Sequence, residues 1–157
     1  MKTFRLFKPV SVHVLFVRSV AFLGFLCVFI PLHAQILDVT ITNIRHSEGR
    51  LHLAIFDNDC DYNKENPVLT KHIDKDTLLC DTAQIEIPIT PGTYALSVLD
   101  DEDGDGKLRF SFWGIPREGF GFSNYIHKGS RKPHFNDFSF SVHENERVAI
   151  LVQMKYF

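Results

Sequence analysis

The sequence predicts an all-β protein: an antiparallel β-sandwich of immunoglobulin-like or transthyretin-like type, with about seven strands. Apolar and polar residues alternate in several short runs, and turn residues such as glycine and proline separate those runs. Alternation with period two places every second side chain on one face of a strand, which is typical of a half-buried sheet. No segment after residue 35 shows the longer period of a helix. These observations favour strands joined by turns.

Six runs are predicted to be strands. In chain order, the apolar positions of the alternating runs are Leu37, Val39 and Ile41; Leu51, Leu53 and Ile55; Ile85, Ile87 and Ile89; Tyr94, Leu96 and Val98; and Phe138, Phe140 and Val142. The sixth run, residues 148–156, is apolar on both faces, which predicts a central strand. Turn residues stand between the first two runs, at Glu48 and Gly49, and between the third and fourth, at residues 90–92.

Two stretches break this pattern. Residues 58–82 are mostly polar, and we interpret them as a long connection with at most one short helix. Residues 113–136 contain four glycines and two prolines, which indicates a second irregular segment. Long loops in small domains are usually functional or disordered, and the aromatic residues of the second stretch favour order.

Residues 1–34 have the layout of a secretory signal peptide. A basic start without acids precedes the apolar run 19–32, and Ala34 offers a small residue for cleavage before Gln35. The apolar run would rise only about 21 Å as a helix, against a hydrocarbon core of about 30 Å, although an uncleaved anchor remains an alternative. We therefore expect an extracytoplasmic protein whose residues 35–157 form one domain, without a transmembrane segment after cleavage.

The charge balance argues against nucleic acid as a partner. Four of the 17 Lys and Arg residues lie within residues 1–34, which leaves 13 against all 19 Asp and Glu in the expected mature chain, a net charge of −6. Proteins that bind nucleic acid need a basic face to neutralise phosphates. We therefore expect no nucleic-acid partner.

An acidic segment is the strongest candidate site. Five carboxylates fall within six residues, and the D-x-D-x-D-G spacing of residues 101–106 resembles the start of a calcium-binding loop, where oxygen ligands converge on a hard cation. The predicted calcium ligands are the side chains of Asp101, Asp103 and Asp105, the carbonyl of Lys107 and the side chain of Glu118. The alternative is a solvated hairpin turn that binds no metal.

Six aromatic residues cluster within 16 positions, at Phe110, Phe112, Trp113, Phe120, Phe122 and Tyr125. Exposed aromatic rings next to the acidic segment would offer a protein or glycan partner a binding surface. The residues predicted for this surface are Trp113, Phe120, Phe122 and Tyr125. If the rings are buried instead, they form a small additional core.

Cys60 and Cys80 are the two cysteines that follow the predicted leader. An even number of cysteines in an exported chain is consistent with a disulfide, which would stabilise a loop of this length by roughly 3 kcal/mol. The alternative is two separate buried thiols.

The order of motifs resembles the bacterial DUF2141 family. The motifs are LHLAIF at residues 51–56, PGTYA at 91–95, DEDGDGKL at 101–108, GIPREGFGFSN at 114–124 and PHFND at 133–137. The GIPREGFGFSN string is the specific one. Family members often have asparagine where Asp103 and Asp105 stand, and an acid where Arg109 stands. The resemblance implies no particular activity, because the family has none established.

The functional hypothesis is an exported, non-catalytic domain that binds calcium and a protein or glycan partner. The alternative is a structural or accessory protein of the cell envelope without a metal. A hydrolase has less support, since Ser123 lacks the glycine that completes a nucleophile elbow. The histidines at His46, His52, His72, His127, His134 and His143 show no short-spaced zinc motif.

Overall fold

The computed structural model describes residues 35–45, 48–78, 80–104, 106, 116–129 and 131–157. The predicted signal peptide, Asp105, Lys107 and Trp113 lie outside these residues. The strands are β1 (Gln35–Thr42), β2 (Arg50–Phe56), β3 (Leu69–Asp74), β4 (Ala83–Ile89), β5 (Gly92–Asp101), β6 (Gly119–Phe122), β7 (Ser139–Val142) and β8 (Arg147–Gln153). The helices are α1 (Asp59–Lys64) and α2 (Phe135–Phe138), with a 3₁₀ turn at Lys75–Thr77.

These strands form two sheets. One has the order β4-β1-β8, and the other has the order β3-β2-β5-β6, with β7 also paired to β5. The β1–β8 pair is parallel, whereas the other strand pairs are antiparallel. The predicted all-β sandwich of mostly antiparallel strands is therefore confirmed, with eight strands in the described part of the chain.

The main core lies between the two sheets. Its central side chains come from both, and at most 2% of each is exposed: Leu37, Val39, Ile41, Leu51, Leu53, Ile55, Ile87, Leu96, Val98, Ile150 and Val152. These are the alternating apolar positions of the sequence, because period two sends them to the inner face of each strand. Burial of each such side chain contributes about 1.5–3 kcal/mol.

A second core covers part of the outer face of the five-stranded sheet. It consists of Phe56, Tyr62, Ala95, Phe122, Phe135 and Phe138, contributed by the strands and by both short helices. Asn58 caps α1, since its side-chain oxygen accepts a hydrogen bond from the Asp61 N–H at 2.9 Å. Among the described residues, no helix is long and apolar enough to cross a membrane.

Two strands were not predicted. β3 lies within the polar stretch 58–82, at the edge of its sheet, where only Leu69 and Ile73 are half-buried. β6 lies in the glycine-rich stretch and alternates glycine with phenylalanine. Pairing with β2 positions β3, and pairing with β5 positions β6. Neither strand has the alternation of large apolar and polar residues that predicted the other strands.

The prediction that residues 148–156 form a central strand was wrong. β8 is an edge strand, and only one of its faces is buried. Ile150 and Val152 point into the core, whereas 52% of Leu151 is exposed. The apolar residues on the outer face are therefore not explained by burial between two layers.

The predicted disulfide is absent, because Cys60 and Cys80 are both free and exposed. Cys60 lies in α1, before β3, whereas Cys80 follows the 3₁₀ turn after β3. The six residues of β3 extend for about 20 Å between them. A disulfide requires Cα atoms within about 7 Å, so this topology separates the two thiols.

Candidate metal site

The acidic segment begins inside β5. Asp100 and Asp101 are the last two residues of that strand, and both are completely buried. Asp100 pairs with Leu51, which points into the core, so Asp100 points inward and Asp101 points to the outer face of the sheet. The two neighbouring carboxylates therefore have different surroundings and different roles.

Asp100 belongs to a buried ion pair. Its Oδ1 lies 2.6 Å from Nζ of Lys75, which is itself fully buried and also donates to the Arg45 carbonyl at 3.1 Å. The Tyr156 hydroxyl donates to Oδ2 of Asp100 at 2.6 Å. Burial and this hydrogen bond raise the pKa of Tyr156 well above its usual value. With both oxygens occupied, Asp100 is a structural residue.

Asp101 organises the turn that follows β5. Its Oδ1 accepts the Gly104 N–H at 2.9 Å, and its Oδ2 accepts the Gly106 N–H at 3.1 Å. Both glycines have positive φ, 79° and 71°, which only glycine adopts at little cost. The carboxylate thus fixes the turn and is held in place by it.

The pairing of β5 with β6 places Glu118 next to Asp101. Asp100 pairs with Gly119 in the antiparallel register. The next residues in the same register, Asp101 and Glu118, therefore lie opposite each other on the outer face. Only 4% of Glu118 is exposed. Gly119 has to be glycine, because a Cβ there would lie 2.2 Å from the Tyr156 ring.

Three carboxylates converge at this point. One ligand oxygen each from Asp101, Asp103 and Glu118 lies within 4.8 Å of the others, with Asp103 exposed and the other two buried. These three residues could hold a metal ion, as the sequence predicted for each of them. The other two predicted ligands, Asp105 and the Lys107 carbonyl, fall outside the described residues.

A histidine that the sequence reasoning did not single out borders the cluster. Nε2 of His52, on β2, lies 3.1 Å from Oδ2 of Asp101. The ring centroids of His52 and of His72, on β3, are 4.3 Å apart. Burial lowers the pKa of His52, and the neighbouring His72 lowers this pKa further, whereas Asp101 raises it. The alternation of buried Leu51 and Leu53 could have placed His52 on the outer face.

The aromatic segment is mostly core. Phe122, predicted as part of a partner surface, is only 9% exposed, and its ring centroid lies 4.9 Å from that of Phe138. That prediction is wrong for Phe122, because the alternation of β6 turns its ring towards the helices. Phe120 and Tyr125 are half-buried at the margin of the same cluster. They line a shallow depression of about 260 Å³.

His127 is a second residue that the sequence reasoning missed. It is 8% exposed, and its ring lies 5.6 Å from Phe120 and 6.0 Å from Phe122. Burial lowers the pKa of His127, and the charge of Lys155 lowers it further. Lys155 also donates to the His127 carbonyl at 3.0 Å.

Comparison with known proteins places the chain in a family without a described activity. No curated protein and no solved structure matches the sequence. A family model described as an uncharacterized protein conserved in bacteria matches residues 39–150, which is more than half of the chain and includes the acidic and aromatic segments. The chain therefore belongs to the DUF2141 family.

Proposed function

We propose that this chain is an exported, non-catalytic β-sandwich domain that binds calcium through its acidic cluster and a protein or glycan partner beside its aromatic segment. The observation that carries the proposal is the approach of the Asp101, Asp103 and Glu118 carboxylates to within 4.8 Å of one another. Two unit charges 4 Å apart repel by about 1 kcal/mol in water and about 4 kcal/mol near a protein surface. A divalent cation would turn this repulsion into attraction.

The chemistry of the ligands favours calcium. Carboxylate oxygens are the ligands that hard cations prefer, and the D-x-D-x-D-G spacing is typical of calcium loops. Magnesium requires near-octahedral geometry and keeps several waters, so a turn of irregular shape suits calcium better. With three described side-chain ligands, we expect a dissociation constant on the order of 10⁻⁴ to 10⁻³ M, as in extracellular modules.

The test is calorimetric titration with calcium, together with thermal unfolding in calcium and in chelator. We expect measurable heat and a higher melting temperature at millimolar calcium. Asp103→Asn should weaken both effects, because an amide oxygen is a poorer calcium ligand than a carboxylate, and it should raise the stability in chelator by relieving the repulsion within the cluster. Asp76→Asn, an exposed aspartate outside the cluster, is the matched control. No calcium effect on the unaltered protein would refute the proposal.

The partner-binding part of the proposal is supported at the margin of the aromatic segment. Phe120 and Tyr125 are half-buried beside Ile126 and Phe157, which are 61% and 55% exposed. Exposed apolar side chains around a depression are typical of contact surfaces for protein or glycan partners. Substitution of Ile126 by aspartate should weaken such an interaction without affecting the calcium titration.

A second candidate is a structural or accessory envelope protein without a metal. It is favoured by the hydrogen bonds of Asp101, because loop N–H groups already occupy both of its oxygens. This candidate predicts that Asp103→Asn has the same melting temperature as the unaltered protein with or without calcium. The titration described above therefore distinguishes the two functions.

Two further observations support the non-catalytic and exported parts of the proposal. Ser123, considered as a nucleophile, is completely buried, donates to the Phe138 carbonyl and accepts the Leu96 N–H. The leader composition supports export. Isolation of the protein from the producing cell and analysis of its N-terminus would test cleavage before Gln35.

A further inference from the structure

A pair of histidines lies on the outer face of the five-stranded sheet. His52 on β2 and His72 on β3 are directly opposed in the antiparallel register, so both side chains project from the same face. Their ring centroids are 4.3 Å apart, with the planes inclined at 69°. Two imidazoles at this separation are close enough to share a metal ion after a side-chain rotation.

A carboxylate lies next to this pair. Nε2 of His52 is 3.1 Å from Oδ2 of Asp101, yet it is buried and makes no hydrogen bond. Two ligand atoms that bind one zinc ion at about 2.0–2.1 Å in tetrahedral geometry are about 3.3 Å apart, which is close to this separation. A cation here would contact the imidazole nitrogen and the carboxylate oxygen, which also accepts the Gly106 N–H.

We propose that His52, His72 and Asp101 bind a borderline divalent metal ion, for which zinc is the test case. Imidazole nitrogen suits zinc, copper and nickel, whereas calcium takes oxygen ligands. Three protein ligands leave the fourth position of a tetrahedral zinc site to water or to a group from a partner. This site shares Asp101 with the carboxylate cluster but adds two nitrogen ligands, and it does not require calcium there.

The surroundings allow the small rearrangement that binding needs. His72 is exposed on an edge strand, so its ring can turn towards His52 without displacing core residues. Arg50, on β2 next to the pair, brings a positive charge that opposes metal binding. Its Nε lies 3.8 Å from the Asp74 carboxylate, which partly offsets that charge.

The experiment is a calorimetric titration with zinc at constant pH, on a protein without a histidine tag. A Cys60→Ser/Cys80→Ser background is used, because the two exposed thiols would themselves bind zinc. We expect one zinc ion per chain. His72→Asn should weaken binding by at least about tenfold, and its exposed position keeps the fold intact. His143→Asn, an exposed histidine after β7, should leave binding unchanged.

Asp103→Asn separates this inference from the proposed calcium function. It removes a carboxylate of the cluster and leaves the histidines in place, so zinc affinity should stay unchanged while calcium affinity falls. The inference is overturned if zinc does not bind, if His72→Asn binds zinc as the unaltered protein does, or if Asp103→Asn loses zinc together with calcium. If zinc binding depends on His72 while calcium gives no heat, the inference stands and the calcium proposal fails.

Discussion

The two ends of the outer face of the five-stranded sheet use the same strands in opposite ways. At one end, β2 contributes Phe56 and β5 contributes Ala95 to an aromatic cluster covered by the two helices. At the other end, the same strands contribute His52 and Asp101 to a polar cluster beside a turn. Apolar side chains are stabilised by the elements packed over them, whereas buried polar ones require specific partners. The two ends should therefore respond differently to substitution.

Phe138→Ala is expected to have the largest effect on stability. The ring is 2% exposed and contacts Tyr62 and Phe122 with centroid distances of 5.1 and 4.9 Å. Its loss should lower the free energy of unfolding by about 3–5 kcal/mol, as measured by urea denaturation. Leu151→Ala is the control, since that side chain is half exposed and should change stability by less than about 0.5 kcal/mol. Equal effects of the two substitutions would contradict the assigned core.

Lys75→Met should be nearly as destabilising, for an electrostatic reason. It keeps most of the aliphatic volume but leaves Asp100 buried without its cation, which should cost about 3 kcal/mol. The double variant Lys75→Met/Asp100→Leu removes both charges and should be more stable than the single variant. Denaturation curves of the two variants test this, and a less stable double variant would show that the charges are not coupled as described.

Gly104→Ala should have a moderate effect that comes from the backbone alone. A Cβ at this position meets no atom within 4 Å, but φ is 79°, so the expected cost is about 1 kcal/mol. Gly129→Ala is the control, because a Cβ there makes only ordinary contacts. If both variants have the same urea midpoint as the unaltered protein, Gly104 does not have the positive φ described here.

The smallest expected effect is on the pH dependence of stability. Burial lowers the pKa of His127 below the ordinary 6.5, so the folded protein binds this proton less well than the unfolded chain. The free energy of unfolding should therefore fall as the pH drops below about 6.5. His127→Gln should reduce this fall, while exposed His134→Gln should not. Identical pH profiles for all three proteins would contradict the assignment.

Local sequence patterns predicted most of the sandwich and part of the polar site. Alternation identified the strands that line the core, and the spacing of Asp101 and Asp103 with the following Glu118 identified the carboxylates that converge. Neither local signal identified Lys75 or His72, because their roles depend on pairing with residues of other strands. Phe122 was predicted for a partner surface, with burial as the alternative, because an aromatic run in the sequence is compatible with either location.

Tyr156 has a consequence for the timing of folding. Its hydroxyl meets Asp100 across 56 positions of sequence, and its ring fills the space that Gly119 leaves open. Closing a loop of this length costs conformational entropy before the hydroxyl can reach the carboxylate. The support beneath the acidic turn therefore depends on a contact between residues far apart in sequence, so the polar end of the sheet should acquire protection from hydrogen exchange late in folding.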